Sequence, residues 1–428
     1  MAFSPVSKLA VYRTLSSGNK VLLGELAQNR QGVFFQYDTD YLNQYGNASP
    51  FTIKADTSIQ LAPPQPHLGL HGLFGDSMPD GWGMLLQDRA FRQAGVLPQL
   101  VTAMDRLAFV GDHAIGALSF SPESSFRLTD DDDVNVFELG QQAQSIFDGQ
   151  TDEVLAALVA AGSSGGARPK AQLYWSRENT NSCSTRPKKN DDAWIVKFTS
   201  ANLALGHQEG ICEAVYLKLA EKADLNPPEF DLLSTPKGND APAWLAVKRF
   251  DFINNGTNPS GRLLMHSACG LLDADFRSPS LDYEMLIKAA GQLCKSPAAA
   301  KLIFRRAIFN LFASNQDDHS KNWAFLQNDK GQWQPAPFYD VTFSPHPFNE
   351  HATAFCGYGK TPPLKVIQKL ANSAGYKNWQ QAQIDIQQVV DVVATFSQVA
   401  FELDVEKKTV KEVQEVLDQR RHENKHLL

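Results

Sequence analysis

The chain has 428 residues, 43% of them hydrophobic, and carries 40 Lys and Arg against 47 Asp and Glu, for a formal charge of −7. This length exceeds one ordinary core and predicts two or three domains. The acidic balance excludes a protein that holds nucleic acid on its own phosphate-binding surface. No apolar run approaches a membrane span, and the first residues lack the charged-then-apolar layout of a signal peptide. Five scattered cysteines without a Cys-x-x-Cys pair fit reduced thiols, so a cytoplasmic protein with neither a disulfide nor a zinc framework is expected.

In chain order, β-type runs at Leu9–Tyr12, Val21–Leu23 and Gly32–Tyr37, broken by Ser-Gly-Asn and Asn-Arg-Gln-Gly turns, predict a small antiparallel sheet. The glycine-rich stretch Gly69–Gly83 lacks a Walker lysine and reads as a structural turn before a helix from about Met84 to Ala94. A helix, loop and strand follow over Thr102–Phe120. Helical spacing over 152–161 then ends at Gly162-Ser-Ser-Gly-Gly-Ala-Arg-Pro-Lys170. Small residues there allow close backbone approach to a polyphosphate, and Arg168 and Lys170 supply charge. Taken alone, the segment reads equally well as a flexible turn.

Ala171–Trp175 and Ala193–Phe198 read as strands joined by a polar loop over 176–192. Lys197 is a lone charge among Trp194, Ile195, Val196 and Phe198, which calls for a buried partner or else an outward-facing strand lysine. Glu213, opening a helix over 213–220, stands where it could be that partner or an ordinary surface glutamate. A strand over Trp244–Asp251 breaks into the Asn-rich hinge 254–258. Helices are then expected over 281–294, 298–313, 363–374, 381–402 and 406–423.

Between the second and third of these helices lies an unbroken polar block, Ser314-Asn-Gln-Asp-Asp-His-Ser-Lys-Asn322, where a helix gives way to a loop. Asp317 and Asn322 are five positions apart, the separation of base and metal-binding Asn in a kinase catalytic loop; spacing alone leaves Asp318 as an alternative base. The strand–turn–strand pattern over Asn322–Tyr339 returns Asp340 beside Asn322, so that two oxygen ligands converge as Mg²⁺ on a nucleotide requires. The order of parts predicts an α+β, bilobal protein-kinase-like fold. It has a sheet-rich N-terminal lobe with an extra small β subdomain (1–124), a nucleotide-binding part with the glycine-rich loop (125–253), and an all-helical C-terminal lobe (254–428). On this reading Lys197 and the loop 162–170 (Ser163, Ser164, Gly165, Gly166, Ala167, Arg168, Lys170) hold the phosphates of ATP. Asn322 and Asp340 hold Mg²⁺, Asp317 orients the acceptor hydroxyl, and His319 and Tyr339 line the pocket; His319 also reads as a satisfied loop histidine.

Asp80-Gly-Trp-Gly83, Gly165–Lys170, Trp194–Thr199, Lys248-Arg-Phe-Asp251, Asp317–Asn322 and Phe338-Tyr-Asp340 together resemble the HipA family of serine/threonine kinase toxins from bacterial toxin–antitoxin systems. The resemblance implies ATP and Mg²⁺, Asp317 as the catalytic aspartate, and adenine near Lys248, Arg249 and Phe250. It further implies autophosphorylation of Ser163, or Ser164 next to it. The implied target is a translation-related protein such as an aminoacyl-tRNA synthetase. The implied partner is a small helix-turn-helix, HipB-like antitoxin, through which alone the chain would meet DNA. Two positions depart from the family pattern: Gly-Gly-Ala-Arg-Pro-Lys stands where the best-known members carry Gly-Ala-Gln-Glu-Lys, and Lys248 where they carry an acidic residue. A small-molecule or lipid kinase and a non-catalytic co-repressor are the alternative readings.

Overall fold

Alternation sets the first sheet. In the computed structural model, which describes residues 3–126, 133–151, 156–161, 166–176, 179–236, 239–256 and 260–428, β1 (Lys8–Thr14) buries Leu9 and Val11 on one face. With β2 (Lys20–Asn29), β3 (Gly32–Tyr37), β4 (Gln60–Leu61) and β5 (Leu118–Ser121) it forms an antiparallel sheet in the order β4-β3-β2-β1-β5. Its inner face closes on Leu70, Phe74, Met104 and Leu107.

The second sheet is built differently, around central strands buried on both faces. It contains β6 (Asp133–Val134), β7 (Lys170–Ser176), β8 (Asn179–Ser184), β9 (Asp192–Lys197), β10 (Phe230–Ser234) and β11 (Ala243–Lys248), in the order β10-β11-β9-β7-β8-β6. One face packs against the helices Gly81–Gln93 and Val136–Phe147, so that Trp82, Phe91, Leu139, Trp175, Trp194 and Trp244 share a core. The other receives the helix Glu209–Lys222 through Ala214, Leu217, Leu245 and Val247. That helix is buried all round from Glu209 to Leu217, as a helix packed on two sides is, and its far side joins the largest core beside Leu286, Phe304 and Phe309. The polar loop expected over 176–192 carries β8. Its Asn-Thr-Asn-Ser-Cys-Ser sequence has no apolar alternation, but pairing with β7 requires only backbone groups.

The second half holds the helices Tyr283–Cys294, Pro297–Ala313, Leu364–Ser373, Trp379–Val393, Phe396–Glu402 and Lys407–Glu423. Two expectations need correction here. The half is not all-helical: Leu264–Ser267, Ala324–Gln327 and Trp333–Pro335 form a three-stranded sheet, and Leu281–Asp282 pairs in parallel with Thr353–Ala354. These strands are two to four residues long and are held by long-range pairing, which leaves no periodic signal. The single helix over 381–402 breaks at Ala394-Thr395, where the Thr395 hydroxyl turns back to the Val392 carbonyl at 2.7 Å.

Two of the contacts that pin the N-terminal sheet and its helices to this half show how close the approach is. Arg13, fully buried, donates to the Tyr41 hydroxyl (2.9 Å), Gln327 Oε1 (2.8 Å) and the Asn328 carbonyl (3.0 Å), and so grips the hairpin 324–335. The short helix Gly72–Gly75 crosses Ala268–Leu271 with backbones touching, and a Cβ on Gly72 would lie 2.0 Å from the Gly270 carbonyl oxygen. Backbone on both sides cannot yield, so Gly72→Ala is expected to lower stability by about 2 kcal/mol, read as a shifted urea midpoint with an unchanged slope.

Candidate functional site

The helix Pro297–Ala313 stops at Ser314, whose left-handed backbone (φ 52°) caps it through its N–H to the Asn310 carbonyl. A buried polar ladder then fixes the loop that follows. Asn315 Nδ2 donates to Asn310 Oδ1 (2.8 Å), Asn310 Nδ2 to the Tyr283 hydroxyl (3.0 Å), and Tyr283 to the Asp318 carboxylate. Asp318 also takes His351 Nδ1 at 2.8 Å and the Thr353 N–H at 3.1 Å, with its side chain fully buried. The two neighbouring aspartates therefore have different surroundings. Asp318 is an internal acceptor with no accessible oxygen, whereas the Asp317 side chain is 64% exposed, facing His319 Nε2 at 3.8 Å.

Asn322 closes the loop, giving its amide nitrogen to the Asp317 carbonyl at 2.7 Å, which leaves Oδ1 as the end presented to a ligand. The hairpin Ala324–Gln327/Trp333–Pro335 brings the chain back, the Tyr339 hydroxyl donates to the Lys321 carbonyl (2.5 Å), and Asp340 sits at φ 54°, a conformation aspartate tolerates better than most residues.

On the facing wall β9 presents Lys197. Its ammonium lies 2.6 Å from Glu213 Oε1 and 2.5 Å from Asp340 Oδ1, and its side chain is 12% exposed. Burial works to lower the Lys197 pKa, but Asp340 and Glu213 outweigh it and leave it raised. Burial likewise works to raise Asp340, and Lys197, Lys170 and Arg168 outweigh it, holding the carboxyl well below the usual carboxylate range. Of the two readings open for Lys197 and Glu213, the structure has the buried pair. Arg168 reaches Glu209 at 2.5 Å, and burial pulls Lys170 below the usual lysine range.

Lys197, Glu213, Asp317, Asn322, Asp340, Arg168 and Lys170 open on one cavity of about 560 Å³ between the second sheet and the helical half. Gly166, Ala167, Arg168, Lys170, Lys197, Lys248, Arg249, Phe250, Asp317, His319, Asn322, Tyr339 and Asp340 all line it; Ser163, Ser164 and Gly165 lie outside the described residues. Two of the lining residues use their charge elsewhere. The Lys248 ammonium sits 2.7 Å from Asp192 and 3.5 Å from Glu229. The Arg249 guanidinium is paired with Asp251 and donates to Gln172 and the Ala114 carbonyl, so it braces the loop before β5. The Tyr339 ring rests on Phe250 with centroids 5.5 Å apart, and burial pushes its phenol well above its ordinary range.

Among the cavity residues outside the predicted site are Glu213, weighed only as a partner, and Asp80 and Lys321, which pair at 2.6 Å. Both of the last two stand inside motifs that were already conspicuous, Asp-Gly-Trp-Gly and Asp-Asp-His-Ser-Lys-Asn, but no sequence spacing joins positions 241 residues apart. Among the described residues no group of three or more His, Cys, Asp or Glu side chains could hold a metal on its own. Asn322 and Asp340 both line the cavity, and each could give one oxygen to a Mg²⁺ ion that completes its shell from phosphates and water.

Two family models match the chain: the HipA-like C-terminal domain over residues 162–400, and the HipA N-terminal domain over 17–121. The chain belongs to the HipA family. Among solved structures, the HipA toxin–antitoxin system of Shewanella oneidensis MR-1, with HipB and its operator DNA, matches with a TM-score of 0.69. That match covers 98% of this chain and 96% of the other at 17% identity, and is a likeness of fold. Among curated proteins, "Putative kinase Y4dM" of Sinorhizobium fredii is 25% identical over 188 residues. That match covers 41% of this chain and less than half of the relative, 44%. The cavity draws on both HipA domains, with Asp80 from the first and Lys197, Asp317 and Asp340 from the second. Among the described residues no helix is long and apolar enough to cross a membrane.

The contrast between the adjacent aspartates is directly testable. Asp318→Ala strands Tyr283, His351 and Thr353 without their acceptor and should cost about 3 kcal/mol. Asp317→Ala should leave the melting temperature within about 2 °C of the parent, as followed by circular dichroism.

Proposed function

We propose that the chain is an ATP- and Mg²⁺-dependent protein serine/threonine kinase acting as the toxin of a toxin–antitoxin pair. The observation that carries this reading is Lys197, held between Glu213 and Asp340 and opening on the same cavity as Asp317 and Asn322. A lysine–glutamate pair beside an Asp-x₄-Asn loop and a later aspartate is the arrangement a kinase needs. On this reading the fold is bilobal and kinase-like, with the partition 1–124, 125–253 and 254–428.

Lys197, with Arg168 and Lys170, neutralises the nucleotide phosphates, and the backbone of Gly166 and Ala167 approaches them. Lys248 and Phe250 frame the adenine side with backbone and ring, since the Lys248 ammonium is engaged with Asp192. Asn322 Oδ1 and the second Asp340 oxygen would hold Mg²⁺, which when bound neutralises charge on the phosphate oxygens. Asp317, the exposed aspartate, orients the acceptor serine hydroxyl and takes its proton as the new O–P bond forms and the bond to the departing ADP oxygen breaks. The rate comes from positioning and charge neutralisation.

The structural relative's complex with HipB and operator DNA supports a small helix-turn-helix antitoxin as partner, with DNA reached only through it; the acidic charge of this chain agrees. The acceptor is then a serine of a translation-related protein, an aminoacyl-tRNA synthetase for example, with Ser163 or Ser164 as the self-modified position.

The test is transfer of γ-labelled phosphate from ATP in a cell extract. Wild-type chain should label a protein band, and Asp317→Ala and Asp340→Asn should each reduce that labelling by about 10³-fold or more while both variants stay folded. Retained transfer in either variant defeats the site assignment. Label on a metabolite alone would mark a small-molecule kinase, and operator repression without any nucleotide binding would mark a co-repressor.

A further inference from the structure

Asp80 precedes the helix Gly81–Gln93 as its N-cap residue, yet its carboxylate makes no capping bond to that helix. An Asp-Gly at a helix start ordinarily turns its side chain onto its own first-turn N–H groups. Here the side chain is almost wholly buried and both oxygens go elsewhere: Oδ1 accepts the Gly166 N–H and Oδ2 the Lys321 ammonium at 2.6 Å. One oxygen thus holds the glycine-rich loop and the other the loop of Asp317 and Asn322.

The neighbouring residues tighten the first contact. The Trp82 N–H donates to the Gly166 carbonyl (2.9 Å) and its indole Nε1 to the Lys170 carbonyl (2.9 Å). Gly81, at φ 35°, comes so close that a Cβ there would lie 2.6 Å from the Gly166 oxygen and 2.7 Å from Ala167 Cα. The second contact is fixed equally well. The Lys321 ammonium also lies 4.2 Å over the Phe276 ring, and its carbonyl receives the hydroxyl of Tyr339, the residue before Asp340.

We infer that Asp80 is a positioning residue. It is a clasp from the N-terminal domain that sets the height of the segment Gly166–Lys170 over the metal-binding residues, and so governs how tightly the nucleotide phosphates are held. The clasp itself rests on geometry alone; its effect on nucleotide rests on the kinase reading above. A carboxylate between a backbone N–H and a partly buried ammonium is a charge-assisted pair of bonds, and removing it frees two segments at once.

Hydrogen exchange and kinetics on the full chain test the clasp. Asp80→Ala removes both arms, Asp80→Asn keeps an acceptor for Gly166 but loses the charge facing Lys321, and Lys321→Met removes the second arm alone. In Asp80→Ala the Gly166 amide should exchange about tenfold faster. The KM for ATP should rise about tenfold with kcat changed less than about threefold, the split expected of lost ground-state holding. Asp80→Asn and Lys321→Met should each give a smaller rise in KM, and the double variant should be no worse than the weaker single, since both delete one interaction. Unchanged Gly166 exchange in a folded Asp80→Ala chain would overturn the clasp. So would fully additive effects of Asp80→Asn and Lys321→Met, which keep the test open should Asp80→Ala not fold. Faster Gly166 exchange in a chain whose wild type binds no ATP would support the clasp and defeat the kinase reading instead.

Discussion

An ammonium as shielded from water as that of Lys197 persists only while carboxylates stay within hydrogen-bond reach, and here they come from two distant parts of the chain. Glu213 is delivered by a helix that cannot shift, because one side is packed into β11 and the other into the helical core. Asp340 is delivered by a hairpin whose far end is held by Arg13 and whose return passes through the Tyr339–Lys321 bond. Sheet, helix and hairpin therefore meet at a single charge. Removing the lysine would leave two carboxylates facing each other in a poorly solvated cleft, so the arrangement holds as a unit.

The N-terminal domain is part of the cavity wall. Asp76 takes His266 Nδ1 (2.6 Å) and the Ser267 N–H (2.7 Å), His266 Nε2 meets the Ser49 hydroxyl (2.8 Å), and Asp251 accepts the Gly116 N–H (2.7 Å). With the Gly72–Gly270 contact, these bonds spread the junction over several independent points, which resists hinge motion better than one apolar patch would. Precise spacing across the cavity requires that kind of junction, because a misplacement of an ångström between reacting groups is costly.

What could be read from the chain alone divides along a physical line. Asp317 and Asn322 stood out because an unbroken polar block between apolar runs is itself a local signal, Asp340 because a strand–turn–strand pattern returns it beside Asn322, and Lys197 because it interrupts an apolar strand. The difference between Asp317 and Asp318 was not legible, since both satisfy the spacing and only burial against Tyr283, His351 and Thr353 separates them. β8 was hidden because polar side chains erase alternation while leaving the ladder intact, and Leu264–Ser267 because a four-residue strand is held by its partners. The engagement of Lys248 with Asp192 and Glu229 was equally invisible, depending on neighbours brought close by strand pairing and the adjoining turn.

Charge in the cavity runs against that of the chain. Seven Lys and Arg line it beside six Asp and Glu, in a protein whose acids outnumber its bases by 47 to 40. Most of those acids already face a cation: Asp251 faces Arg249, Asp80 faces Lys321, and Glu213 and Asp340 share Lys197. Burial makes the charged form of Lys170 less favourable than it would be in water, and the nearby acids offset that only in part. A group in that condition gains most from an incoming anion, since binding and protonation are linked and each favours the other. A polyanion entering beside Lys170 would therefore relieve a cost already present in the fold. That relief acts together with the small residues of the loop, which make room for a phosphate there.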